Sequence, residues 1–228
     1  MASPPLIALV CSDRHRNGKT LLARVLVDFF LLEGRDPFVL DLGYPEGAVR
    51  NYFPGRTALV DFAHVAGQMK VFDTILAGPG RDYVIDLPAD QLAKFCEATG
   101  DLDFRSAAHH AGFRLAVLYI IDEMEDSLKT AAAVEDILVP DLFVPVANRA
   151  IGSALPDGVP GLVLTMEKID HDLLAIITNR RFSFRAFILG DESGVPMRLR
   201  SNLKTFLHGL ISGFREFEPA LSLLKLRE

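Results

Sequence analysis

The sequence predicts an α/β protein, a mainly parallel, doubly wound sheet flanked by helices in three layers. Three observations lead there. Short unbroken apolar runs of strand length recur along the chain, segments of helical periodicity separate them, and polar turns bearing Asp, Asn or Gly follow the runs. Strands alternating with helices imply crossovers and helices on both faces, and a strand buried on both sides reads as a continuous apolar run. With 228 residues, no internal repeat, no low-complexity tract and no dividing linker, residues 1–228 are expected to form one domain.

The elements follow in order. Leu6 to Cys11 is the first apolar run, and it ends at Ser12-Asp13. Gly18 to Glu33 places Leu21, Leu22, Val25, Leu26, Phe29 and Leu32 at helical spacing, with Gly34 as the stop. Phe38-Val39-Leu40 is a strand reaching Asp41, and Tyr83-Val84-Ile85 a strand reaching Asp86, so carboxylates close two apolar runs. Residues 43 to 57, rich in Gly, Pro, Tyr and Arg, read as a mobile loop. Leu115 to Ile121 and Leu142 to Val146 are further strands, separated by a helix that begins near Asp126-Ser127 and runs to Leu138. Ser153 to Gly161 reads as a surface connection and Gly161 to Met166 as one more strand. A final helix is expected over about 197–226, with Leu203, Phe206, Leu207, Leu210, Ile211 and Phe214 on one face and Pro219 as its point of division.

Composition narrows the function classes. Half the residues are hydrophobic and 24% are charged, as in a globular protein with an ample core. A formal net charge of -6 excludes a generally basic coat, so any DNA contact must be regional. Cys11 and Cys96 have no CxxC spacing and no histidine pair, and a disulfide or zinc framework is not expected. His109 and His110 read as loop residues without ligand spacing. The opening residues lack the basic stretch of an export signal. The best apolar window, Phe113 to Ile121, stops at Asp122-Glu123, so the expectation is a soluble, cytoplasmic protein with no membrane-spanning helix, surface attachment being left open and a membrane partner not expected.

Gly18-Lys19-Thr20 lies between the first strand and the first helix, where a phosphate-binding loop of the Walker A type belongs. Backbone amides of such a loop and of the helix N-terminus cradle an anion; Lys19 would reach the β and γ phosphates of ATP, and the Thr20 hydroxyl would join a Mg²⁺ shell. The first glycine of the full motif falls at Asp13, a carboxylate that needs a cationic partner beside a triphosphate, and Arg14 or Arg16 could supply it.

Asp82-Tyr83-Val84-Ile85-Asp86-Leu87-Pro88 resembles the DxxxxDxP segment of the ParA/MinD family of P-loop ATPases. Lys19-Thr20, Asp41, Asp86-Leu87-Pro88 and Asn148-Arg149 also occur in that family's order and with similar intervals, so the resemblance spans nearly the whole chain. It implies ATP and Mg²⁺ as cofactors. The nucleotide would be held by Arg16, Asn17, Gly18, Lys19, Thr20, Leu21, Asn148 and Arg149, and the metal by Thr20, Asp41 and Asp86. Lys19, Asp41 and Arg14 would have catalytic roles, Arg14 standing at the family's signature lysine that reaches across an ATP-bound homodimer. The departures are His15 and Arg16 in place of two loop glycines, and Gly43 where the family has a second switch acid.

The function so implied is a slow Mg-dependent ATPase, a dimerisation switch that partitions or positions DNA or protein cargo. Two alternatives share the fold: a metabolic enzyme of the dethiobiotin synthetase or cobyrinate amidase-ligase type, and a nucleotide-binding scaffold without hydrolysis. Arg180, Arg181, Arg185, Arg198, Arg200 and Lys204 concentrate basic charge late in the chain and are the candidate contact for DNA, with ion pairs to Asp191 and Glu192 as the other use of these cations.

Overall fold

The computed structural model describes residues 4–122, 124–152, 161–179 and 182–224. Seven strands form one sheet: β1 (Leu6–Cys11), β2 (Phe38–Asp41), β3 (Thr57–Leu59), β4 (Tyr83–Asp86), β5 (Arg114–Ile121), β6 (Leu142–Asn148) and β7 (Leu164–Met166). Their spatial order is β3-β2-β4-β1-β5-β6-β7, and every pairing is parallel. The predicted fold class is therefore the observed one.

Period-two alternation explains why the strand sequences are apolar throughout. In β1, Leu6, Ala8 and Val10 enter one core while Ile7, Leu9 and Cys11 enter the other; in β5, Ala116, Leu118 and Ile120 face the first core and Leu115, Val117, Tyr119 and Ile121 the second. The first core is closed by α1 (Lys19–Leu32), α6 (His171–Ile177), α7 (Phe184–Ile188), α8 (Met197–Arg215) and α9 (Phe217–Leu224). The second is closed by α2 (Val65–Leu76), α3 (Leu92–Asp101), α4 (Phe104–His110) and α5 (Glu125–Leu138). Each Leu or Phe so enclosed contributes roughly 1.5–3 kcal/mol relative to exposure. At Gly213 α8 comes close to β7: a Cβ there would lie 2.0 Å from Leu164 Cδ2.

Four segments differ from the sequence reading. Residues 43 to 57, read as an irregular loop, carry two single-turn 3₁₀ helices, Val49–Asn51 and Pro54–Arg56, with Val49 fully buried against the first core. His109 and His110 end helix α4 rather than lying in a loop, and His109 Nε2 is 2.9 Å from Asp141 Oδ2, which also accepts the Leu115 amide. The long final helix breaks at Glu216, not at Pro219. Pro219 sits in the first turn of α9, where its missing N–H has no intrahelical acceptor to satisfy. The last strand is shorter than predicted, Leu164–Met166, and the expected surface connection over 153–160 lies outside the described residues.

Candidate functional site

The connection from β1 leaves toward β2, while that from β4 leaves toward β5 on the opposite side, so the winding direction reverses between the adjacent strands β1 and β4. Parallel sheets bind ligands in the crevice at the carboxyl ends of strands at such a reversal. The loop from Ser12 to Gly18 stands there, joining β1 to the N-terminus of α1.

Its path is fixed from within and below. Arg16 and Gly18 take left-handed conformations, with φ of 58° and 99°, and alternation of this kind turns successive amides toward one side as an anion-binding concavity. A Cβ at Gly18 would also lie 2.9 Å from Asn148 Nδ2 and 3.2 Å from Met166 Cε, so a glycine is required twice over. The buried Asn17 donates its side-chain amide to Ser12 Oγ and offers its carbonyl to Asn148 Nδ2 at 2.7 Å. Asn148 Oδ1 in turn accepts the Ala150 amide at 2.9 Å, so the side chain from the end of β6 clamps the backbone of the loop between β1 and α1.

Lys19 is only 8% exposed. Its ammonium lies within the loop, donating to Arg14 O and, at 3.2 Å, to Asn17 Oδ1. Burial holds its pKa below the usual lysine value, opposed chiefly by the nearby Asp86 carboxylate. His15 and Arg16, the bulky residues at the loop's tip, are exposed, so neither fills its interior. Asp13 is turned aside: its Oδ1 accepts the Tyr119 hydroxyl at 3.0 Å and the Ser127 hydroxyl at 3.2 Å. Arg14 Nε lies 3.6 Å from Asp13 but 2.9 Å from Asp122 at the end of β5, its closer partner.

The two strand-ending carboxylates are register partners across β2 and β4, Asp41 opposite Asp86. The Thr20 hydroxyl donates to Asp86 Oδ2 at 2.8 Å, bringing the first residues of α1 onto the end of β4. Burial first, and then Asp41, push the Asp86 pKa up to about 7, with Thr20 and Lys19 opposing. Asp41 is differently engaged. Its Oδ1 accepts the Gly43 amide at 3.1 Å and its Oδ2 the amides of Val49 at 2.8 Å and Arg50 at 3.1 Å, so this carboxylate seats the loop that follows it. Oxygen donors at Thr20 and Asp86 suit a hard dication that retains water. Among the described residues no group of three or more His, Cys, Asp or Glu side chains could hold a metal.

Lys19, Thr20, Asp86, Asn17, Gly18 and Asn148 thus meet at the carboxyl ends of β1, β4 and β6. Leu21 packs against the first core, and Arg16 and Arg149 are exposed. Sequence reasoning missed Ser12, Tyr119, Ser127, Asp122 and Met166, whose roles depend on strands that the sheet order brings alongside the loop. Of the basic cluster, Arg198 bonds Asp172 at 2.7 Å, and Arg200 and Lys204 share Glu192 at 2.8 and 2.5 Å; Arg180 and Arg181 lie outside the described residues. A cleft of about 790 Å³ lies at the opposite, amino edge of the sheet, among Pro5, Phe30, Arg35, Asp82, Phe214 and Phe217. No helix among the described residues is long and apolar enough to cross a membrane.

No protein-family model matches the chain, and no curated protein matches it. Among solved structures it is similar to a nucleotide-binding protein from Archaeoglobus fulgidus in complex with ADP, in which cobalt was found: 15% identity, a TM-score of 0.46, 77% of this chain and 86% of that one. A likeness of that depth does not carry a ligand across.

Proposed function

We propose that the chain binds ATP with Mg²⁺ at the carboxyl edge of its sheet, in the manner of a P-loop protein. The observation that carries this reading is Lys19. Its buried ammonium stands at the N-terminus of α1, inside a loop of amides, on a neutral carbonyl and a neutral amide oxygen. No carboxylate pairs with it among the described residues. Phosphate oxygens are stronger acceptors for such a cation than neutral ones, and the helix N-terminus favours the same charge. Thr20 and Asp86 would supply oxygen ligands to a dication beside it. These two would hold the Mg²⁺, which would supply positive charge against that of the phosphates, while the amides of residues 14–20 would orient them.

Within this reading the ParA/MinD-like role, an ATP-dependent homodimer acting as a switch on cargo, is the finer proposal, supported by the resemblance around Asp86 and by the exposed Arg14. With Arg198, Arg200 and Lys204 bonded to acids, the proposal does not extend to DNA. A second reading, a scaffold that holds ATP without hydrolysing it, is favoured by Asp41: both of its oxygens are taken by amides, and Gly43 offers no carboxylate in its place. Phosphate release at saturating Mg·ATP separates the two, since a scaffold gives none above background. The primary test compares ATP binding by the wild type and Lys19→Ala with Mg²⁺ present. A loss of ten-fold or more in the variant is expected, on the order of 1.4 kcal/mol or more; equal and negligible binding by both ends the proposal.

A further inference from the structure

Thr20, Arg24 and Asp28 occupy one stripe of α1 at intervals of four residues, polar positions on a helix otherwise wrapped in apolar contacts. Thr20 reaches Asp86, and Asp28 accepts the Phe184 amide at 3.0 Å where α7 begins. Between them Arg24 is 3% exposed. Its guanidinium donates to Ile177 O at 2.8 Å and lies 3.3 Å from the centroid of the Tyr52 ring and 4.8 Å from that of Phe184. Arg24 Nε has no hydrogen-bond partner among the described residues. A buried cation held by the carbonyls of Ile177 and Phe182 and by two rings, rather than by a carboxylate, depends on the rings that exclude water from it.

One of those rings is mounted on the loop that Asp41 seats. Asp41 accepts the amides of Val49 and Arg50, the Tyr52 amide donates to Val49 O at 2.9 Å, and the Tyr52 hydroxyl reaches Thr178 O at 2.8 Å. A continuous set of contacts therefore runs from the Asp86–Asp41 pair through residues 49–52 to Arg24 and on to the segment between α6 and α7. We propose that the Tyr52–Arg24 stack is a latch by which the phosphate crevice reports its state to the α6–α7 segment. The latch rests on the reading of that crevice as a Mg·ATP site. With a dication held by Thr20 and Asp86, the Asp41 carboxylate would hold the amides of 49 and 50 less tightly, and the Tyr52 ring would be free to leave Arg24. The guanidinium is then wetted, and the Thr178 carbonyl loses its Tyr52 donor.

The chain contains no tryptophan, so Tyr52→Trp installs a single reporter ring over Arg24. Titration of this full-length variant with Mg·ATP is followed by emission and, separately, by equilibrium dialysis of the nucleotide. The expected result is binding accompanied by a red shift with the same half-saturation, and loss of the shift when Arg24→Met is added while binding stays within about three-fold. Binding without a shift, or a shift that survives Arg24→Met, overturns the latch and leaves the nucleotide reading intact; absence of binding overturns both. Should Arg24→Met fail to fold, amide exchange at 182–188 serves instead. Tyr52→Leu without nucleotide should exchange there as fast as wild type with it, and protection equal to that of wild type without nucleotide overturns the latch.

Discussion

A carboxyl group buried beside another carboxyl costs stability until a cation joins it, and Asp86 is placed that way. Its folded pKa of about 7 stands above the ordinary 3.8, so between those values the folded chain keeps a proton that the unfolded chain has released. Stability must then fall as pH rises through that window, with the loss complete above about pH 7. Asp28, raised to about 6 by burial, acts with the same sign, so the informative quantity is the difference between wild type and variant. Asp86→Asn retains an acceptor for Thr20 and should flatten the urea-denaturation profile, with a gain on the order of 2–4 kcal/mol at pH 8. A variant no more stable than wild type there contradicts the strain assigned to Asp86. By the same linkage, Mg·ATP affinity should rise with pH up to about 7. Lys19, Thr20 and Asp86 were legible in the sequence because strand, turn and helix alone put the first two at a helix start and the third at a strand end. The clamp of Asn148 on Asn17 O was not, since it exists only once β6 has been laid two strands from β1.

At the scale of elements, two glycines in helices should respond oppositely to the same change. Gly209, exposed in the middle of α8, has no atom within 4 Å of an added Cβ, and Gly209→Ala should stabilise by about 0.5–1 kcal/mol in thermal or urea unfolding. Gly67, in the first turn of α2, would set a Cβ 1.7 Å from Asp61 O, a backbone atom that cannot swing away, and Gly67→Ala should destabilise by about 1–3 kcal/mol. A stable Gly67→Ala would mean that α2 does not meet the 61–62 turn as drawn. The elements that the sequence hid have physical reasons for being hidden. β3 is three half-buried residues, too few for a period. In α2, Val65 and Met69 are exposed while Val71, Phe72 and Ile75 are buried, so apolar residues on two faces blur the amphipathic stripe. Residues 43 to 57 look mobile by composition, but three amides seated on Asp41 and a ring seated on Arg24 hold them.

For the molecule as a whole, the sheet order decides what can meet. Thr20 and Asp86, 66 positions apart in sequence, touch because β4 pairs with β1, and the reversal of winding between those strands leaves a crevice above them. The fold class followed from alternating apolar runs and helical segments, but this order of strands did not, because each strand alone is apolar on both faces and carries no label for its neighbour. Two places are therefore to be told apart as the seat of a nucleotide: the loop around Lys19 at the carboxyl edge and the cleft beside Phe30 and Phe217 at the amino edge. A crystal structure of the protein with Mg·ATP decides between them most directly. The expected result places the phosphates against the amides of residues 14–20, with the Lys19 ammonium moved from Arg14 O onto phosphate oxygens. A nucleotide found at the amino-edge cleft, or bound while Lys19 still donates to Arg14 O, would contradict the account.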